Sequence, residues 1–193
     1  MASITEGQAP LSVTFTNNSR NADEFLWNFG DEATTTVETQ EPVTHKYTKA
    51  GTFTVELTAF KEGKLQEGDT VTTVVTVEPG PLNSISLDKT EATLVVEEGV
   101  VFSAQALDQF DNVIPDLAFG YRATEEAGQI DSEGRFTAGT KAGIYGDAIQ
   151  IEVSEGSVTR TAMASVTVEP GPLDHVTLEP ETLSVEAGQM AQF

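Results

Sequence analysis

The densest group of oxygen-bearing side chains on this chain is Asp108, Asp111, Asn112 and Asp116. Hard divalent cations such as calcium take about six to eight oxygen ligands from a flexible loop, so these four are the candidate metal residues. Their spacing lacks the central glycine and distal glutamate of an EF-hand loop. The competing reading is a polar turn between strands, because Asp and Asn readily bond their own backbone there. Glu97-Glu98 and Glu125-Glu126 are weaker candidates and read as solvated charge. Calcium is thus the one cofactor considered, and none is required. Nucleophilic chemistry has little to draw on. There is no cysteine, and the only histidines are His45 and His175. A Ser-His-Asp arrangement needs an orienting acid and a pocket, and nothing in the sequence specifies them. His45 reads as a hydrogen-bonding core or turn residue, no catalytic residue is assigned, and the chain reads as a non-enzyme. A glycan site would need exposed aromatics beside polar groups. Aromatics are 7% of the chain, Trp27 lies in an apolar pattern, and Tyr121 and Tyr145 are what remains.

These residues must be carried by strands. Alternating runs rich in Val, Ile, Thr and Phe span 11–17, 52–60, 70–78, 84–88, 92–98, 100–108, 148–155 and 159–170, each bounded by Gly, Pro, Asn or Asp. No segment holds helical periodicity over three turns. Many short strands with frequent turns predict an all-β fold, a sandwich or a barrel.

A repeat divides the chain. The octapeptide VTVEPGPL stands at Val75–Leu82 and returns at Val166–Leu173, 91 residues later, close to the ~100 residues of one such sandwich. Ile85-Ser86-Leu87 likewise corresponds to Val176-Thr177-Leu178, and Phe102 to Phe193. The expected division is a sandwich over 1–79, a second over 80–170, and the truncated start of a third over 171–193. The two Pro-Gly-Pro linkers are short and stiff, which favours a semi-rigid rod; prolines that merely end strands are the alternative. A stub strand completing the sheet of a neighbouring chain is a further reading, set against an arbitrary cut.

Charge narrows the partners. Thirty-one Asp and Glu against ten Lys and Arg leave a net charge of −21, which repels phosphate backbones and anionic lipid. Neither nucleic acid binding nor membrane insertion is expected, and no run of 18 apolar residues is present.

Two family resemblances sharpen this reading. Trp27, Phe29, Gly30 and Asp31, then Pro42, His45 and Tyr47, then Gly51, Phe53, Val55 and Leu57 resemble the motifs of the polycystic-kidney-disease (PKD) domain over about Ala2–Pro79. Glu32 replaces that family's usual glycine, so the turn after Asp31 is expected to differ, and the family's first strand is expected to be missing. Asp108, Asn112 and Pro115, followed by GQIDSEGRFTAG at Gly128–Gly139, resemble bacterial immunoglobulin-like domains, the group that includes invasin and intimin stalk repeats. The resemblances imply an all-β chain of tandem immunoglobulin-like β-sandwiches, structural motif residues and an extracellular or cell-surface location. They favour a non-catalytic stalk or spacer segment of a large prokaryotic protein in adhesion or surface display. The expected partners are neighbouring domains of the same longer chain. The alternatives are a module that binds a glycan or surface protein directly, and accessory domains of a secreted hydrolase.

Overall fold

The computed structural model describes residues 1–61, 64–173 and 187–188. The expectations for the third repeat and for the stub strand therefore lie almost wholly outside the described residues. Sixteen strands are described: β1 (Glu6–Gln8), β2 (Leu11–Phe15), β3 (Glu24–Asn28), β4 (Thr34–Val37), β5 (Val43–Tyr47), β6 (Gly51–Lys61), β7 (Lys64–Glu78) and β8 (Ser84–Leu87). They continue as β9 (Glu91–Val95), β10 (Gly99–Val101), β11 (Ala104–Leu107), β12 (Phe119–Ala123), β13 (Gly128–Ile130), β14 (Arg135–Ala138), β15 (Gly143–Glu155) and β16 (Val158–Glu169). The fold is all-β, built of small sandwiches of the immunoglobulin-like kind.

In the first sandwich a five-stranded sheet, β1-β7-β6-β3-β4, faces the pair β2-β5. Period-2 alternation aims the side chains. In β2, Leu11, Val13 and Phe15 are buried while Ser12 is exposed. In β3, Phe25 and Trp27 turn inward. Phe15 lies 5.6 Å from Trp27 and 5.7 Å from Phe29 between ring centroids. Burying each such apolar side chain contributes about 1.5–3 kcal/mol. A short strand, β1, precedes β2 and pairs in parallel with β7, Gly7 opposite Val77. Its three residues are too short, and too polar at Glu6 and Gln8, for a hydrophobic pattern to reveal it.

The second sandwich has the sheets β12-β15-β16-β9, β10-β14-β13 and β11-β8. Its main core gathers Phe102, Phe136, Ile149, Ile151 and Val166, all fully buried. The single strand expected over 100–108 is two strands. Val100 pairs with Phe136 in one sheet, and Gln105 with Ser86 in another. The chain crosses between sheets at Phe102-Ser103, where Gly134 O accepts the Phe102 N–H at 2.8 Å and Asp88 Oδ1 accepts the Ser103 N–H at 2.8 Å. Alternation continues through the crossing, so the sequence pattern alone does not mark it.

The two sandwiches close alike. The last two strands of each run antiparallel, β6 with β7 and β15 with β16, and a short parallel strand flanks the final one, β1 or β9.

Candidate functional site

Two places gather polar side chains. The first is the turn after β3. Gly30 adopts φ +81, and a Cβ there would stand 2.6 Å from Thr54 O, so a side chain is excluded. Asp31 then accepts the Ala33 N–H and sits 2.7 Å from His45 Nε2. The His45 ring lies parallel to Phe29 at 4.1 Å and edge-on to Tyr47 at 4.7 Å. The Tyr47 hydroxyl donates to Phe29 O at 3.0 Å. Burial, and secondarily the Asp31 charge, push the Tyr47 hydroxyl far above its ordinary range, so it stays a proton donor. The ring of contacts ties β3 to β5 and holds the turn. Glu32 takes the left-handed conformation, at φ +73. A side chain pays about 1–2 kcal/mol there that glycine does not.

The second place is the loop after β11, which holds the four candidate metal residues. Asp108 is 1% exposed, and each of its carboxylate oxygens accepts two hydrogen bonds. Oδ1 takes the N–H groups of Phe110 (2.7 Å) and Asn112 (3.0 Å). Oδ2 takes the linker N–H of Gly80 and the Asn112 amide, both at 2.8 Å. Burial opposes ionisation, but the Asn112 amide and the backbone N–H groups of Asn112, Gly80 and Phe110 outweigh it and hold the carboxyl below its ordinary range. Charge-assisted bonds of this kind contribute about 1.5–3 kcal/mol each.

Asn112 carries the network into the first sandwich. Its amide nitrogen also donates to Thr48 O at 2.8 Å, and its amide oxygen accepts the Ala50 N–H at 2.9 Å. Every amide hydrogen and the oxygen are thereby used, which fixes the side chain's orientation. Lys49 Nζ donates to Phe110 O at 2.6 Å, and the Phe110 side chain packs on the first core. Gly80 has no room for a side chain, since a Cβ would stand 2.4 Å from Ala9 O. Leu82 N–H, just beyond, donates to Glu155 Oε2 at 2.7 Å, and Leu82 is buried with Ala106 and Val153.

The four residues are thus split between two jobs. Asp108 and Asn112 form a buried clamp between sandwiches. Asp111 and Asp116 hold left-handed turn positions, φ 60 and 61, which Asp tolerates better than most residues. Among the described residues, no group of three or more His, Cys, Asp or Glu is placed to hold a metal ion. Glu98 accepts the Val95 N–H. Glu97, Glu125 and Glu126 border an open groove with Thr140 and Lys141. Tyr121 and Tyr145 are half-buried against the second core. Sequence reasoning missed Lys49, Phe110 and the backbone of Thr48 and Ala50; the available signal was a tetrapeptide, Thr48-Lys49-Ala50-Gly51, that recurs at Thr140–Gly143.

Fold and clamp together define a chain of tandem immunoglobulin-like sandwiches. Residues 1–77 match the family model of the PKD domain, and the chain carries a PKD domain over those residues, followed by further β-sandwich structure. The chain is similar to the full ectodomain (Ig1–Ig3) of mouse nectin-like molecule 4, at 13% identity and a TM-score of 0.50, covering 91% of this chain and 65% of that one. It is also similar to extracellular domains 3–5 of Drosophila OTK (10%, TM-score 0.46, 86% and 62% covered). A third likeness is to the Escherichia coli adhesin FdeC (17%, TM-score 0.43, 90% and 63% covered). At these identities the likeness is one of fold, and the chain spans less than two thirds of the length of each. No curated protein matches the chain significantly. No helix among the described residues is long and apolar enough to cross a membrane.

Proposed function

We propose that this chain is a non-catalytic stalk or spacer segment of a larger extracellular or cell-surface protein in adhesion or surface display, whose neighbouring domains are its main partners. The carrying observation is the Asp108–Asn112 clamp. Linked domains move relative to one another unless their interface is extensive. Here a small contact is reinforced by buried, fully paired polar groups on both sides of a linker with no slack. The same reading divides the chain at Pro79/Gly80 and at Pro170/Gly171; in its support, no sheet among the described residues joins strands from both sides of the first linker.

The chain lacks cysteine, so single cysteines introduced at the exposed positions Lys46 and Glu152 accept spin labels specifically. A stalk gives a narrow label-to-label distance distribution, and Asn112→Ala broadens it. A broad distribution in the unmodified chain refutes the spacer reading.

A direct ligand-binding module is the second reading. A cavity in the first sandwich is lined by Phe15, Trp27, Val55, Leu57 and Val71, and the buried Trp27 Nε1 has no hydrogen-bond partner among the described residues. A glycan array and a surface-protein pull-down separate the two readings, because a pure spacer captures nothing. Calcium at the loop of Asp108, Asp111, Asn112 and Asp116 is tested in the same samples: a calcium-dependent rise in melting temperature supports a site there, and none at millimolar calcium removes it.

A further inference from the structure

The first sandwich receives the clamp on a socket with three parts: the Thr48-Lys49-Ala50-Gly51 loop, the end of β7, and the linker glycine Gly80. All three recur at the far end of the second sandwich. The tetrapeptide returns as Thr140-Lys141-Ala142-Gly143, followed by Ile144-Tyr145 where the first copy has Thr52-Phe53. The strand end and linker return as Val166–Leu173, identical to Val75–Leu82.

The structure puts these recurring pieces in the same register. Gly51 pairs with Val77, Thr52 with Thr76 and Phe53 with Val75. Gly143 pairs with Val168, Ile144 with Thr167 and Tyr145 with Val166, which are the same partners one repeat later. The flanking parallel strand repeats as well. Ala9 N–H donates to Glu78 O in one sandwich, and Val96 N–H to Glu169 O in the other. Next to each linker glycine stands the residue following that parallel strand, Ala9 beside Gly80 and Val96 beside Gly171.

The difference lies in occupancy. Thr48 and Ala50 are half-buried and bonded to Asn112, and Lys49 bonds Phe110 O, whereas Thr140 and Ala142, the counterparts of Thr48 and Ala50, are exposed.

We propose that the Thr140–Gly143 loop and the Gly171 linker form a second socket for a following immunoglobulin-like domain that presents an Asp-x-Phe-x-Asn loop, as the second sandwich presents Asp108, Phe110 and Asn112 to the first. In it Lys141 Nζ meets the carbonyl at the Phe position, the Ala142 N–H and Thr140 O meet the Asn amide, and the Gly171 N–H meets the Asp carboxylate. The inference rests on the spacer reading and names the partner that reading requires. Residues 171–193 begin the repeat again in sequence, which places such a domain directly after this linker.

The test uses a chain in which residues 80–170 follow Pro170 a second time, so that a known Asp-x-Phe-x-Asn loop is offered to the new socket. Spin labels at Glu152 and its copy report the second joint; labels at Lys46 and Glu152 report the first. The expected result is a second distribution as narrow as the first. Ala142→Pro with Lys141→Glu abolishes the narrow second distribution and leaves the first intact. Should that variant fail to fold, Asn112→Ala in the appended copy alone gives the same loss from the other side of the joint. A second joint that is broad from the outset, or narrow but indifferent to both variants, overturns the proposal while the first joint keeps the spacer reading. Both joints broad overturns the spacer reading itself. Dimerisation of the 193-residue chain abolished by Lys141→Glu assigns the loop to a second copy instead, and also overturns it.

Discussion

The two sandwiches reach similar endings by different interiors. The first packs Phe15, Phe25, Trp27, Phe29 and Tyr47 around its PKD turn. The second fills much of its core with Ala127, Ala138, Ala148 and Ala164 beside Ile149, Ile151 and Val166, with the aromatic pair Phe102 and Phe136 at 6.2 Å. Large rings let the first sandwich organise a polar turn on aromatic faces, whereas small side chains let the second bring its strands and crossover close together. What stays constant is the exit of each sandwich, where register, linker and loop repeat. Cores of matching volume tolerate varied composition. A joint made of backbone groups at fixed positions does not, because its partners must meet donors and acceptors at hydrogen-bond distance.

That contrast can be broken at several points. The largest effect is expected from Phe15→Ala, which removes a fully buried ring and costs about 3–5 kcal/mol. Trp27 is the only tryptophan, so its fluorescence reports the first sandwich. Denaturant unfolding should show that transition move to lower denaturant, while the second sandwich, followed by circular dichroism, changes little. Next comes Asp108→Ala, which strands four N–H donors and is expected to cost on the order of 3 kcal/mol. It should also separate the two transitions, because the clamp is what couples them.

A smaller, graded effect follows from acid. The Asp108 carboxyl lies below its ordinary range when folded. Its contribution to stability is therefore complete above the unfolded value near pH ~3.9 and is lost as pH falls through the lower folded value. Label distributions across the first joint should broaden in that acid range. Asp108→Asn should remove the part of the pH dependence that belongs to this group. The smallest effect expected is from Glu32→Gly, a gain of up to about 1 kcal/mol by relieving a left-handed side chain. It should shift the tryptophan-reported transition upward and leave the second unmoved.

Much of this architecture was legible beforehand. Alternation in residues 11–15 and 53–59 pointed each apolar side chain to the correct face, because strand geometry imposes a period of two on any half-buried sheet. The aromatic spacing of Trp27 and Phe29 marked the first core, and the duplicated VTVEPGPL marked the matching ends of β7 and β16. Less was legible where tertiary contact overrides pattern. Glu6–Gln8 carries no apolar rhythm and becomes a strand only because β7 offers it an edge. The run 100–108 alternates throughout, yet a crossing at Phe102 divides it between two sheets.

The candidate site divides in the same way. Asp108, Asp111, Asn112 and Asp116 stood out by residue type, and residue type says only that oxygens are available. What those oxygens face depends on groups far away in sequence: the N–H of Gly80, the carbonyl of Thr48 and the N–H of Ala50. Backbone donors and acceptors are identical at every residue, so no composition or spacing can announce which of them will point into a loop. By itself, the sequence determined the all-β class, the repeat and the aromatic turn, since these follow from local periodicity and side-chain size. Only the tertiary structure decided that an acidic loop would spend its central carboxylate on holding two sandwiches together, because that choice is made by backbone atoms brought within three ångströms by folding.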